Sequence, residues 1–172
     1  MDDVVVVNDK DEVIGTMPRE IAHANGTPHR IAVVYVVNPA GEILVQVRMD
    51  GGLDHSSAGH VDPGEEYIET AKRELKEELG MDNVDFNIVG HGISEEILPD
   101  KNEHRIHVMQ IFSCMGEPGE LQEDEVRQVY WADPEKILVE MRGKTEDVKF
   151  AGGFKASLPI YLAAKSQLTA PK

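Results

Sequence analysis

The sequence has a single cysteine, Cys114, so no disulfide can close within the chain, and a reducing compartment fits. Positive charge is also scarce: 17 Lys and Arg stand against 32 Asp and Glu, a formal net charge of −15 at pH 7. A nucleic-acid duplex or an anionic membrane needs a basic footprint, so neither is expected as a partner. Long apolar runs are missing. An acidic start, Met1-Asp2-Asp3, leads into only four apolar residues, Val4 to Val7, which is neither a membrane span nor a signal peptide. There is no internal repeat or low-complexity segment. A soluble, cytoplasmic protein is expected, and a small polyphosphate stays open as a ligand, because its charge can be met locally by a metal and a few Arg or His. At 172 residues and 41% apolar, the chain suits one domain spanning 1–172.

What is present is concentrated between Gly59 and Met81, GHVDPGEEYIETAKRELKEELGM. Glu66 to Leu79 lacks proline and glycine and is rich in helix formers, which predicts a helix of three to four turns. Gly64 is read as opening it, with Glu65 and Glu66 in the first turn, and Gly80 as closing it in a left-handed cap. Ile68, Ala71, Leu75 and Leu79 form a stripe to be buried. Glu74, Glu77 and Glu78 share an adjacent face, where like charges repel by about 0.2 to 0.5 kcal/mol per pair in an isolated helix. A divalent cation reverses that cost, and hard carboxylate oxygens suit Mg²⁺ or Mn²⁺. The competing reading, a solvated acidic helix, leaves the fixed spacing unexplained.

Elsewhere, Val4 to Val7 and Glu12 to Thr16 read as a hairpin, followed by a short helix from Met17 to Ala24. Ile31 to Val37 and Glu42 to Arg48 make the clearest hairpin. Val84 to Ile93 and Arg105 to Cys114 read as strands separated by a polar segment, Ser94 to His104. Arg127 to Ala132 reads as a short strand. Pro134 to Met141 and Ser157 to Ala164 read as helices joined by Gly143 to Gly153, and Thr169 to Lys172 as a frayed end.

Gly59, Glu65, Arg73-Glu74-Leu75, Glu77-Glu78, Gly80 and apolar Met81 match the Nudix signature at every position, so the chain resembles the Nudix hydrolases. That resemblance implies an α+β fold, an α/β/α sandwich with a mixed β-sheet, and metal-dependent hydrolysis of a diphosphate linkage in a nucleoside diphosphate derivative or related small molecule. It implies Glu74 and Glu78 as principal metal ligands, Glu77 joining directly or through water, and the Ala58 carbonyl as a further ligand. Arg73 would hold the catalytic set in place through Glu65 or the glutamates. The general base would come from the box, at Glu77, or from a later loop, at Glu125, with Glu123 its neighbour. Arg48 and Arg105 are the best-placed cations for substrate phosphate, with His104 and His107 assisting. A homodimer is common among relatives.

Flanking residues resemble the type I isopentenyl-diphosphate isomerases: V-x-N-x-x-x-x-V-I-G near the N-terminus, N-P-A-G-x-I-L-V-Q, and Ser57-Ala58-Gly59-His60. In those enzymes two early histidines and the one after the box glycine help build a metal site, and His23, His29 and His60 stand at the matching places. Taken alone, His23 and His29 read as surface or packing residues, whereas His60 could meet a phosphate oxygen or a metal. Two departures weigh against isomerisation. Ala58 stands where the isomerases need a catalytic cysteine, and Arg105 and His107 stand where they carry glutamates. A non-catalytic nucleotide- or protein-binding domain is a third possibility, disfavoured because no box glutamate is missing.

Overall fold

A computed structural model describes residues 2–143 and 147–169, the last two by backbone only. The elements run β1 (Asp3–Val7), β2 (Val13–Pro18), α1 (Arg19–Asn25), β3 (His29–Val37), β4 (Ile43–Arg48), β5 (Leu53–Asp54), β6 (Ser57–His60), α2 (Tyr67–Leu79), β7 (Asn87–Leu98), β8 (Glu103–Met115), β9 (Val126–Ala132), α3 (Pro134–Arg142) and α4 (Gly152–Thr169). The nine strands among the described residues form one curled sheet, mixed because β3 pairs parallel with β8 while its other pairings are antiparallel. The sheet is α+β in organisation, with helices on both faces.

Alternation along β3 explains the two layers. Ala32, Val34 and Val36 face α2, whose Ala71, Leu75 and Leu79 are buried against them with Phe112 and Cys114. Ile31, Val33 and Tyr35 point the other way, onto Phe154 and Leu158 of α4 and Ile137 of α3. The stripe read from the sequence is thus the inner face of α2, with Ile68 packed at its margin.

Several local readings change. Strand β2 continues to Pro18, so α1 begins at Arg19 instead of at Met17. The polar segment 94–104 is mostly strand: β7 and β8 stay paired from Asn87↔Ser113 to Leu98↔Glu103, leaving only a 3-10 turn at Pro99–Lys101. Cross-strand pairing of polar residues, such as Glu96 with Arg105, sustains the ladder there although Ser94 is its only buried residue between 94 and 104. Residues 84–86, read as strand, precede β7. Helix α4 begins at Gly152, five residues before Ser157, because fully buried Phe154 anchors its first turn despite two glycines. It extends through Thr169, and residues 170–172 of the expected frayed end lie outside those described, as does part of the 143–153 connection.

The most consequential change concerns β3 and β4. Their Cα atoms pair only at Val37↔Ile43, and the strands then splay. Ser56 fills the gap, accepting from the Val36 amide at 2.8 Å and donating to the Leu44 carbonyl at 2.6 Å. It stands in for ladder hydrogen bonds that the splay removes. Ser56→Ala is expected to destabilise the fold by about 1–3 kcal/mol, since a buried amide and carbonyl lose their partner; a urea melt that moves by less than the fitting error refutes this.

Candidate active site

The turn before α2 is organised by carboxylates. Glu66 caps the helix in a reciprocal capping box with Glu69. Glu65 and Glu66 therefore both precede the first turn, which starts at Tyr67, contrary to the sequence reading that Gly64 opens the helix. Glu65 accepts from both Arg73 Nε, at 2.9 Å, and Arg73 Nη2, at 3.0 Å, and from Thr70 Oγ1 at 2.7 Å. The Arg73 guanidinium holds the Glu65 carboxyl down to about 2. The same guanidinium reaches Glu74 Oε1 at 2.7 Å, the His60 carbonyl at 3.3 Å, Asp62 at 3.3 Å and Glu77 at 3.6 Å. Arg73 thus ties the turn, β6 and two glutamates of α2 together.

Glu78 is different in kind. It is buried, and its Oε2 accepts from Gln46 Nε2 at 2.7 Å across the gap opened by the splay of β4. Burial pushes its carboxyl up to about 8, Gln46 offsets part of that, and the charges of Glu74, Asp54 and Glu125 add to the rise. Glu74 is also raised, by burial first, with Arg73 opposing and Glu77 and Glu125 contributing. A buried glutamate beside other carboxylates is costly unless it is protonated or meets a cation.

Glu125 reaches this group through the backbone. Gly80 closes α2 at φ 60°, and the following loop is pinned to it, the Gly119 amide donating to Leu79 O at 2.8 Å and the Gln122 amide to Glu78 O at 3.0 Å. The Glu125 amide then donates to Gln122 O at 3.1 Å, so the exposed side chain is delivered close enough to act on Glu74 and Glu78. Exposed Glu123 sits two residues earlier in the same loop. A side chain at Gly80 would meet Glu120 backbone atoms at 2.7 to 2.8 Å, which accounts for that glycine beyond its φ.

Strand β6 separates two environments. Gly59 faces α2, and a Cβ there would fall on the Glu74 carboxylate. Ala58 and His60 alternate to the opposite side, where Ala58 packs with the second core. There His60 joins His23 from α1, His29 from β3 and His107 from β8, with ring centroids 4.8 to 5.6 Å apart. Of the reading of His23 and His29 as surface or packing residues, the surface half is corrected: both are buried, and their rings pack against the other histidines. Burial, then neighbouring imidazoles, lowers His60 to about 2 and His107 to about 3. His23 falls to about 4, also by burial first, and burial lowers His29. All four are neutral at pH 7. His104 stands apart, paired with Glu95 at 2.7 Å.

A cleft of about 750 Å³ runs beside this group. Arg48 and Arg105 both line it, as do Arg19, Lys101 and Lys149, interleaved with six carboxylates that include Asp50, Asp54 and Glu103; Glu74, Glu77 and Glu78 are not among its lining residues. Arg48 is held by Asp54 at 3.5 Å and Asp50 at 3.9 Å, and Arg105 by Glu103. Gln46 and Ser56 escaped the sequence reading, although a glutamine inside the apolar strand LVQVR was a usable signal. Asp54 and His55 also escaped it; His55 is buried, with Nδ1 2.6 Å from Asp54 Oδ1. No local pattern marks that pair.

Comparison with known proteins agrees with this geometry. The family model described as NUDIX domain matches residues 27–151. The "Uncharacterized Nudix hydrolase YfcD" of Escherichia coli strain K12 is 37% identical over 151 residues, covering 84% of this chain and 81% of that protein. An isopentenyl-diphosphate Delta-isomerase of Corynebacterium glutamicum is 30% identical over 153 residues, covering 78% of each. Among solved structures, DR0079 from Deinococcus radiodurans superposes with a TM-score of 0.71 at 21% identity, covering 89% of this chain and 94% of that one. With the box intact on α2 and the mixed sheet in place, the chain belongs to the Nudix family and is a Nudix hydrolase.

Proposed function

We propose that this enzyme cleaves a diphosphate linkage in a nucleoside diphosphate derivative or a related small molecule, with Mg²⁺ or Mn²⁺ held by Glu74, Glu77, Glu78 and the Ala58 carbonyl. The observation that carries the reading is Glu78: a buried carboxylate with one neutral donor, in a group whose other members repel it. The donor set is all oxygen, which fits a hard divalent ion. When bound, such an ion supplies neutralisation of phosphate oxygens and acidification of water.

The chain's own residues supply the rest. Arg73 fixes the Glu74 carboxylate, so the ligand geometry does not have to form at the moment of reaction. Glu125, exposed at the rim of the group, would take the proton from attacking water, with Glu77 the alternative. Arg48 and Arg105 meet phosphate oxygens across the cleft. Ala58 offers no thiol, which disfavours isomerisation as the activity. The chain acts as one domain, and its single cysteine fits the reducing cytoplasm.

The test is a screen with Mg²⁺ against nucleoside di- and triphosphates, nucleotide sugars, dinucleotides and isoprenoid diphosphates. Release of phosphate or nucleoside monophosphate is expected, and a folded protein silent on the whole panel overturns the reading. Arg73→Ala is expected to lower kcat by about 10- to 100-fold, as losses of outer support around a metal do. A change of less than threefold would show that Glu74 holds its position unaided.

A further inference from the structure

The glutamate helix leaves a second set of ligating atoms unused. His23, His29, His60 and His107 each offer one nitrogen, and these four nitrogens all lie within 4.8 Å of one another. The Nε2 atoms of His23 and His107 are 3.5 Å apart. Ligands held tetrahedrally at the usual metal–nitrogen distance of about 2.0–2.1 Å are separated by about 3.3 Å, so closing on an ion asks each ring to move by less than about 1 Å.

Two details show that lone pairs face inward. His29 Nδ1 lies 2.7 Å from the Thr27 carbonyl oxygen, so Nδ1 carries the proton and Nε2 the lone pair. The buried Nε2 atoms of His29 and His60 have no hydrogen-bond partner among the described residues. Buried polar atoms are nearly always satisfied in folded proteins, and a carbonyl fixing the outer nitrogen is the usual support of a metal-binding histidine.

We propose that His23, His29, His60 and His107 form a structural site for a divalent transition metal of the zinc class, separate from the glutamate set on α2. The four ligands are imidazoles without a carboxylate, a set that suits Zn²⁺, Co²⁺ or Ni²⁺ and gives Mg²⁺ no oxygen to bind. Three histidines have counterparts in the isomerase resemblance; His107 does not. It stands where those enzymes carry a glutamate, and the parallel pairing His29↔His107 brings it beside the others. Four protein ligands close the coordination shell, which is the pattern of structural rather than catalytic zinc. The ion would fasten α1 and β6 to the β3–β8 pair beside the cleft, which His23, His60 and His107 line.

The test uses the full chain, stripped with a chelator and titrated with Co²⁺ or Zn²⁺ in millimolar Mg²⁺ so that oxygen sites are occupied. One equivalent of either ion should survive desalting, Co²⁺ should give visible ligand-field absorption, and the melting temperature should rise. His107→Ala and His23→Ala should each weaken Zn²⁺ binding by at least about tenfold, whereas Glu78→Gln should leave it unchanged. Failure of the unmodified protein to retain either ion overturns the proposal, whatever the folding of the variants. So does retention by both folded histidine variants with loss in Glu78→Gln, which would assign the ion to the glutamates.

Discussion

Glu78→Gln is expected to reduce diphosphate hydrolysis by at least about 10³-fold while the metal-free protein becomes more stable at alkaline pH. The activity loss follows from removing the buried charge around which the site is assembled; a thousandfold corresponds to about 4 kcal/mol of barrier. The stability gain follows from the raised carboxyl. Glu78 titrates at about 8 in the fold against an ordinary value of 4.5, so the folded state keeps a proton that the unfolded chain releases. That contribution is fully present below about pH 4.5 and is lost as pH rises through about 8. The amide variant carries no proton to lose and retains an oxygen for Gln46. Metal-free wild type should therefore fall behind the variant by a few kcal/mol between pH 5 and pH 9. Mg²⁺ should restore the wild type and not the variant. Parallel pH–stability curves for the two proteins, or activity within tenfold, would sink the assignment of Glu78.

Gly59→Ala should cost about 10²-fold in activity, through space alone. Backbone freedom is not the reason for this glycine, because it is not among the residues at positive φ. An added Cβ would overlap the Glu74 carboxylate, which Arg73 holds in place. Either Glu74 swings away from Arg73 or β6 moves from α2, and a displacement of about 1 Å at a catalytic group can cost a hundredfold. The variant should remain folded, because the neighbouring Ala71, Leu75 and Leu79 contacts are untouched. A Mg²⁺ titration separates the causes: a displaced ligand raises the metal concentration needed for half activity. Full activity at ordinary Mg²⁺ would show that the helix accommodates the methyl group.

Legibility in the sequence depended on distance along the chain. The box was readable because a helix places residues three and four apart on one face, so Glu74 and Glu78 meet by local geometry. The buried stripe Ala71, Leu75 and Leu79 was readable for the same reason. The hairpin β3–β4 was only half right. Its alternation and its Asn38–Glu42 turn are local, but the splay depends on Ser56 arriving from the next loop. Segment 94–104 was misread because its strands have little buried face, so no period-2 signal was available to find them.

By itself the sequence determined the family box, a helix with a charged face and the left-handed cap at Gly80 that ends it. Tertiary structure decided what surrounds that face. Gln46 meets Glu78 across 32 positions, and His107 meets His23 across 84. Such encounters depend on strand order and register, the parallel β3–β8 pairing above all, which no local periodicity encodes.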